Sequence, residues 1–224
     1  MKIRALTYSA IIARILSAFF LGGIIGLERG MKNRPAGLRT YMLVCIGSCL
    51  IMMTNQYLYQ ASGAGDPGRM GAQVVSGIGF LGAGTIVVTK RSQIKGLTTA
   101  AGLWAAAAVG LALGIGFYEA AFLGSITIFT VLSIMHSWDN LMRKNTKVVD
   151  IYLEIAGDAS LGDCMRSLRE IGLDIESIQL EHDSTTEDGT RSFIATLHSM
   201  HKENHDVLLS KIRSIKGVAY LEEL

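Results

Sequence analysis

Hydrophobic residues run in long unbroken stretches over the first 140 positions, then give way to short alternations. Five apolar segments stand out, near 6–27, 41–59, 70–89, 97–116 and 120–138. Each has about the 20 residues an α-helix needs to cross a hydrocarbon core. The third, Met70 to Thr89, has no charged side chain and contains five glycines. Glycine weakens a helix in water, but in lipid it lets a second helix approach closely, so this stretch predicts a packed membrane helix. Gly22, Gly26, Gly77, Gly79, Gly82 and Gly84 are the expected packing positions. The second segment has a polar end, Asn55-Gln56-Tyr57, and the fourth is almost all Ala, Gly and Leu, which suits an interior helix. The short Gly116-Phe117-Tyr118-Glu119 link makes the fourth and fifth helices antiparallel neighbours.

After residue 148 the period changes. Val149, Ile151, Leu153 and Ile155 alternate as on a half-buried strand. Ser160 can cap a helix carrying Leu161, Cys164, Met165, Leu168 and Ile171 on one stripe. Leu173–His182 and Thr190–Met200 read as strands around the acidic loop Asp183–Gly189. A helix over Glu203–Ser214 and a strand over Val218–Leu221 complete the order βαββαβ, the ferredoxin-like split motif. The expected fold is therefore an α-helical membrane bundle over 1–142 plus a small α+β domain over 148–224.

Composition agrees with this division. Half of the 224 residues are hydrophobic and the mean hydropathy is +0.36, which is high for a soluble domain. Residues 1–147 hold 14 Lys and Arg against 4 Asp and Glu, a net of +10; residues 148–224 hold 7 against 15, a net of −8. Ten of the bases fall in the loops after helices one, three and five: Arg29, Lys32, Arg34, Arg39, Lys90, Arg91, Lys95, Arg143, Lys144 and Lys147. Lys2, Arg4 and Arg69 lie on the other side. The positive-inside rule then puts the N-terminus outside and the C-terminal domain in the cytoplasm. No cleavable signal peptide is expected, because the first apolar run leads straight into the second without a cleavage pattern. Cys45 and Cys49 share a helical face and read as packing residues; Cys164 lies in the acidic half, and no disulfide framework is suggested.

Several motifs invite chemistry. Gly77-Ile78-Gly79-Phe80-Leu81-Gly82 is a literal GxGxxG, but a dinucleotide site needs a preceding strand and an acid about 20 residues on, and alanines occupy that place. There is no Gly-x-Ser-x-Gly, no P-loop and no useful pair of carboxylates, so no catalytic residue and no cofactor is expected. The bases hug the membrane edges and form no groove for nucleic acid. His198, His201 and His205 lack the fourth ligand of a zinc site, and Glu187-Asp188-Gly189 lacks EF-hand spacing. Arg14 lies deep in the first helix, where a charge costs a few kcal/mol unless it is paired or snorkels. Two readings stand: it snorkels outward, or it meets an interior partner such as Asp66 or Gln73. Gln73 and Ser76 read as interhelical hydrogen-bonding groups or as the lining of a solute path. Glu28, Arg29 and Arg39 are interface anchors or a buried cluster facing a pocket. An offset of 59 aligns Ala13/Ala72, Ser17/Ser76, Gly23/Gly82, Gly37/Gly96, Leu38/Leu97 and Thr40/Thr99, so a parallel internal repeat and plain composition bias both remain open. Gly22-x-x-x-Gly26 and Gly110-x-x-x-Gly114 offer surfaces for a homodimer.

The chain resembles a known family. Ile25-Gly26-Leu27-Glu28-Arg29 followed by Ala36-Gly37-Leu38-Arg39-Thr40, then Gln73–Gly84, then Lys95–Trp104, look like the MgtC/SapB family of bacterial inner-membrane proteins, over roughly residues 10–115. The acidic tail resembles the ACT-like domain found behind some members. The resemblance implies a non-enzymatic regulator tied to growth at low magnesium and to survival inside host cells. It also implies a membrane protein partner such as the membrane sector of the F-type ATP synthase, and a small ligand at the ACT-like domain. A magnesium-linked transporter or channel is the alternative. Expected contact residues are Glu28, Arg29, Arg39 and the loop Lys90–Thr99, with Lys90, Arg91, Lys95, Thr98 and Thr99 on it; Arg14 and Gln73 join them if a solute passes. Some members carry Asn where this chain has Thr98, so a contact through that amide does not carry over.

Overall fold

The computed structural model describes residues 4–89, 93–135, 138, 147–156, 160–180, 191–199 and 205–223. Contacts divide the chain into two units, Met1–His136 and Ser137–Leu224.

The first unit is helical. Helix α1 spans Tyr8–Met31 and is capped by the Thr7 hydroxyl, which accepts the Ala10 N–H. After the turn that holds Pro35, α2 runs over Leu38–Ser62 and ends at Gly63, whose φ of 66° is left-handed. Asn55 at its far end donates to the Pro67 carbonyl and closes the turn into α3, Arg69–Gly84. Then come β1, Val87–Val88, and β2, Ile94–Lys95, paired antiparallel. Helix α4 is Leu97–Gly114 and α5 is Tyr118–Thr130, which continues as a π-helical turn over Val131–Met135.

Four of these, Tyr8–Met31, Leu38–Ser62, Leu97–Gly114 and Tyr118–Met135, are long and apolar enough to cross a membrane. The expected third span is shorter than the sequence suggested. Its 16 residues measure about 24 Å, below the ~30 Å of a hydrocarbon core. The helix stops because Thr85, Ile86, Val87 and Val88 follow it, and β-branched residues favour extended backbone. Thr85 closes the end by donating both its N–H and its hydroxyl to the Gly82 carbonyl, at 3.0 and 2.8 Å. The two helix pairs that an offset of 59 would relate thus differ in length, and only the second carries a hairpin in its loop.

Helix α2 is the centre of the unit. On one side Gly22 and Gly26 of α1 lie against it: a Cβ at Gly22 would stand 2.8 Å from the Cys45 Cβ, and one at Gly26 would stand 2.8 Å from the Leu38 Cα. On the other side Gly110 and Gly114 of α4 press on its backbone, and a Cβ at Gly114 would stand 2.5 Å from the Cys49 carbonyl oxygen. Both Gly-x-x-x-Gly motifs are therefore occupied within the chain. Cys45 and Cys49 are buried between them with Ala18, Leu21, Val109 and Leu113.

The second unit has β3 (Val148–Ile155), α6 (Leu161–Glu170), β4 (Leu173–Leu180), β5 (Arg191–Ser199), α7 (His205–Arg213) and β6 (Val218–Glu223). Its sheet has the order β4-β5-β3-β6 with every neighbour antiparallel. Val149, Ile151, Leu153 and Ile155 face a core closed by Cys164 and Leu168 of α6 and Leu208 and Ile212 of α7. The expected βαββαβ order is present, and the expected ends that fall on described residues differ from the observed ones by two residues at most.

Candidate functional site

Charged side chains enter the helical unit at both of its ends. At the α1–α2 end, the last turn of α1 buries Glu28 and Arg29, the latter 3% exposed. Lys32, one turn on, reaches back so that its Nζ lies 2.6 Å from Glu28 Oε1. Arg29 Nη1 is 3.8 Å from Glu28 Oε2, and Arg29 Nη2 donates to the Thr99 hydroxyl at 3.4 Å. Tyr41 of α2 donates to the Thr99 carbonyl at 3.4 Å. Arg29 thus ties the end of α1 to the start of α4, and Tyr41 ties the start of α2 to the same threonine. Bases suit this place, since a helix C-terminus carries partial negative charge. The expected residues of this face do not act alike: Glu28, Arg29 and Thr99 are buried together, while Arg39, Lys95 and Thr98 are exposed. Lys90 and Arg91 lie outside the described residues.

At the α4–α5 end stands Arg14, fully buried. Its Nη1 donates to Gln56 Oε1 at 2.7 Å and to the Gly114 carbonyl at 2.6 Å, and its Nη2 donates to the Arg4 carbonyl at 3.1 Å. Gln56 donates to the same Arg4 carbonyl at 2.9 Å. Arg4 itself pairs with Glu119 and lies over the Tyr118 ring, 5.0 Å from its centroid. Of the two sequence readings of Arg14, the interior partner holds, with Gln56 in that place, and the outward snorkel does not. It does not snorkel, and it meets neither Asp66 nor Gln73. The C-terminal carbonyl of α4, the Arg4 carbonyl and the amide of Gln56 accept from its two Nη groups instead. Asp66 is a turn residue whose carboxylate accepts the Gly68 N–H at 2.8 Å. Gln56 was legible only as an amide in an apolar segment; its partner is 42 positions away. Fourteen residues of helix, about 21 Å, separate Arg14 from Glu28, so the two do not share a cavity.

The open surface is on α3. Gly82 faces Ala100 of α4 at 3.5 Å, but a Cβ at Gly77, Gly79 or Gly84 would meet no atom within 4 Å. Those three pack against none of the described residues. Ala72, Ser76, Gly79 and Ala83 are all exposed along one side of α3, beside Phe80, which is 84% exposed. On its other side α3 and α2 enclose a groove of about 810 Å³, with Gln73 on one wall and Arg39 at one end. Gln73 is exposed and makes no interhelical hydrogen bond among the described residues.

In the second unit His198 is exposed on β5, and His205 Nδ1 lies 2.9 Å from Glu223 Oε1. His201 and the Glu187–Gly189 loop lie outside the described residues. Among the described residues no three His, Cys, Asp or Glu side chains converge as metal ligands.

Apolar helices of spanning length, locked by buried charges and followed by a small α+β unit, define an integral membrane protein. The comparisons give the family. The model described as the MgtC family matches residues 15–141. A protein named "Putative magnesium transporter YhiD" from Escherichia coli K12 is 38% identical over 178 residues, covering 77% of this chain and 81% of its own. Protein MgtC of Brucella abortus is 35% identical over 209 residues, covering 89% and 84%. Protein SapB of Bacillus subtilis is 30% identical over 183 residues, covering 76% and 77%. The chain belongs to the MgtC family.

Proposed function

We propose that this protein is a non-catalytic regulator in a bacterial inner membrane, linked to adaptation to low magnesium and to intracellular survival. It acts by docking on another membrane complex such as the membrane sector of the F-type ATP synthase. One observation carries the reading: the charges inside the helical unit bond to its own helices, while α3 keeps a small-residue face that no described residue of that unit covers. Small residues at such a face are what lets a second membrane helix come close. The interior between the two charged ends is filled by Ala18, Leu21, Cys45, Cys49 and Leu113, which gives an ion no polar path. The N-terminus is outside and the second unit cytoplasmic, and that unit, ACT-like in its element order, takes a small ligand or pairs with a second copy.

A pull-down from native membranes in mild detergent tests the docking. Wild-type protein recovers ATP synthase membrane subunits, and Gly79→Leu recovers several-fold less. Recovery of the bait alone defeats the proposal.

The name of the Escherichia coli relative favours a second reading, magnesium-linked transport. Purified protein in liposomes then passes magnesium, and Arg14→Gln alters the flux. Vesicles that stay tight across a broad ion screen remove it.

A further inference from the structure

The α2–α3 groove holds chemistry the docking reading does not use. Its walls are apolar, with Leu43, Val44 and Ile51 on α2 facing Val74, Ile78 and Leu81 on α3. At the end where α2 begins stands Arg39, exposed and without an ion pair or hydrogen bond among the described residues. Beside it is the Thr40 hydroxyl. The α2 N-cap, Gly37, makes no side-chain cap bond, and Arg39 lies in the first turn of the helix, at the positive end of its dipole. The nearest acid in sequence, Glu28, is already tied to Lys32 and Arg29.

We infer that this groove binds an anionic phospholipid, with acyl chain along the walls and phosphate on Arg39. Charge selects the headgroup: a guanidinium at a helix N-terminus is complementary to a phosphate. Size selects the tail. From Arg39 to Ile51 the groove is about 18 Å long. A helix of that length and roughly 10 Å diameter fills about 1,400 Å³, more than the groove's 810 Å³. A methylene group is about as large as a water molecule, roughly 30 Å³. A chain of about 16 carbons therefore needs about 480 Å³ and fits with room to spare. Gly47 and Gly77 keep the middle wide, since a Cβ on either would meet nothing within 4 Å.

This inference stands apart from the docking proposal and is tested without a partner. Native mass spectrometry of the purified full-length protein shows bound phospholipid enriched in phosphatidylglycerol over the membrane it came from. After delipidation, micelles containing phosphatidylglycerol raise the melting temperature; phosphatidylcholine micelles and inorganic phosphate do not. Arg39→Gln lowers phosphatidylglycerol occupancy about fivefold, the effect of one base at an anionic surface. Arg69→Gln, at the far end of α3, leaves it unchanged. Gly47→Leu and Gly77→Leu fill the groove and remove the lipid while elution volume and circular dichroism stay the same. The inference is overturned if the bound lipids match the bulk membrane, or if Arg39→Gln behaves like Arg69→Gln. It also fails if inorganic phosphate stabilises as well as the lipid, or if the leucine variants release a bound protein and keep the lipid.

Discussion

Arg14 brings a full charge into a bundle whose neighbouring interior side chains are Ala, Cys, Leu and Met. A charge at that depth costs a few kcal/mol unless acceptors surround it. Here three oxygens do so, from Gln56, Gly114 and Arg4. Arg14→Met keeps the length and strands those acceptors. Interhelical hydrogen bonds in membranes average about 0.6 kcal/mol each, so the variant should lose ~2 kcal/mol in a detergent unfolding titration. A loss below about 0.5 kcal/mol would show the network to be incidental. Cys164 gives a residue-scale test in the second unit. Burial holds its thiol above the ordinary value, so the folded form keeps it neutral. Its contribution to stability is complete below the unfolded thiol value and is lost as pH rises through that value toward the folded one. Alkylating reagents should therefore leave Cys164 unmodified at neutral pH until denaturant is added. Rapid labelling of the native protein would contradict this placement. The depth of Arg14 was legible in the sequence; Gln56 and Gly114 as its partners were not, because they lie 42 and 100 positions away.

At the scale of elements, glycine content alone misreads which helices pack. All six glycines of α1 and α3 named from the sequence have the same missing side chain, yet only Gly22, Gly26 and Gly82 meet a neighbour within 4 Å. The distinction is measurable. Gly114→Val drives a branched side chain into the Cys49 carbonyl and should cost about 3 kcal/mol or more, since backbone cannot give way as a side chain can. Gly79→Val points into open space and should change melting temperature by less than about 2 °C. Equal effects of the two would refute the arrangement of α2 between α1 and α4. The end of α3 carried its signal in the run Thr85–Val88, which a hydropathy count passes over because valine is apolar in a helix and in a strand alike.

Taken whole, the molecule has two cores with different logic. Among the described residues the second unit has thirteen buried hydrophobic side chains in one cluster. A fragment of residues 147–224 should stay in the aqueous phase, show mixed helix and sheet dichroism, and unfold in one cooperative step. An unfolded fragment would mean that this core is incomplete. The sequence by itself determined the division near residue 140, the membrane character of the first part, the βαββαβ order of the second and the family. Those follow from periodicity, charge and local motif, which read neighbours along the chain. Only the tertiary structure decided which charges meet, that α2 is clasped on both sides by glycine, and that α3 is short and open. Each of those depends on residues far apart in sequence being brought within a few ångströms, and no local pattern encodes such distances.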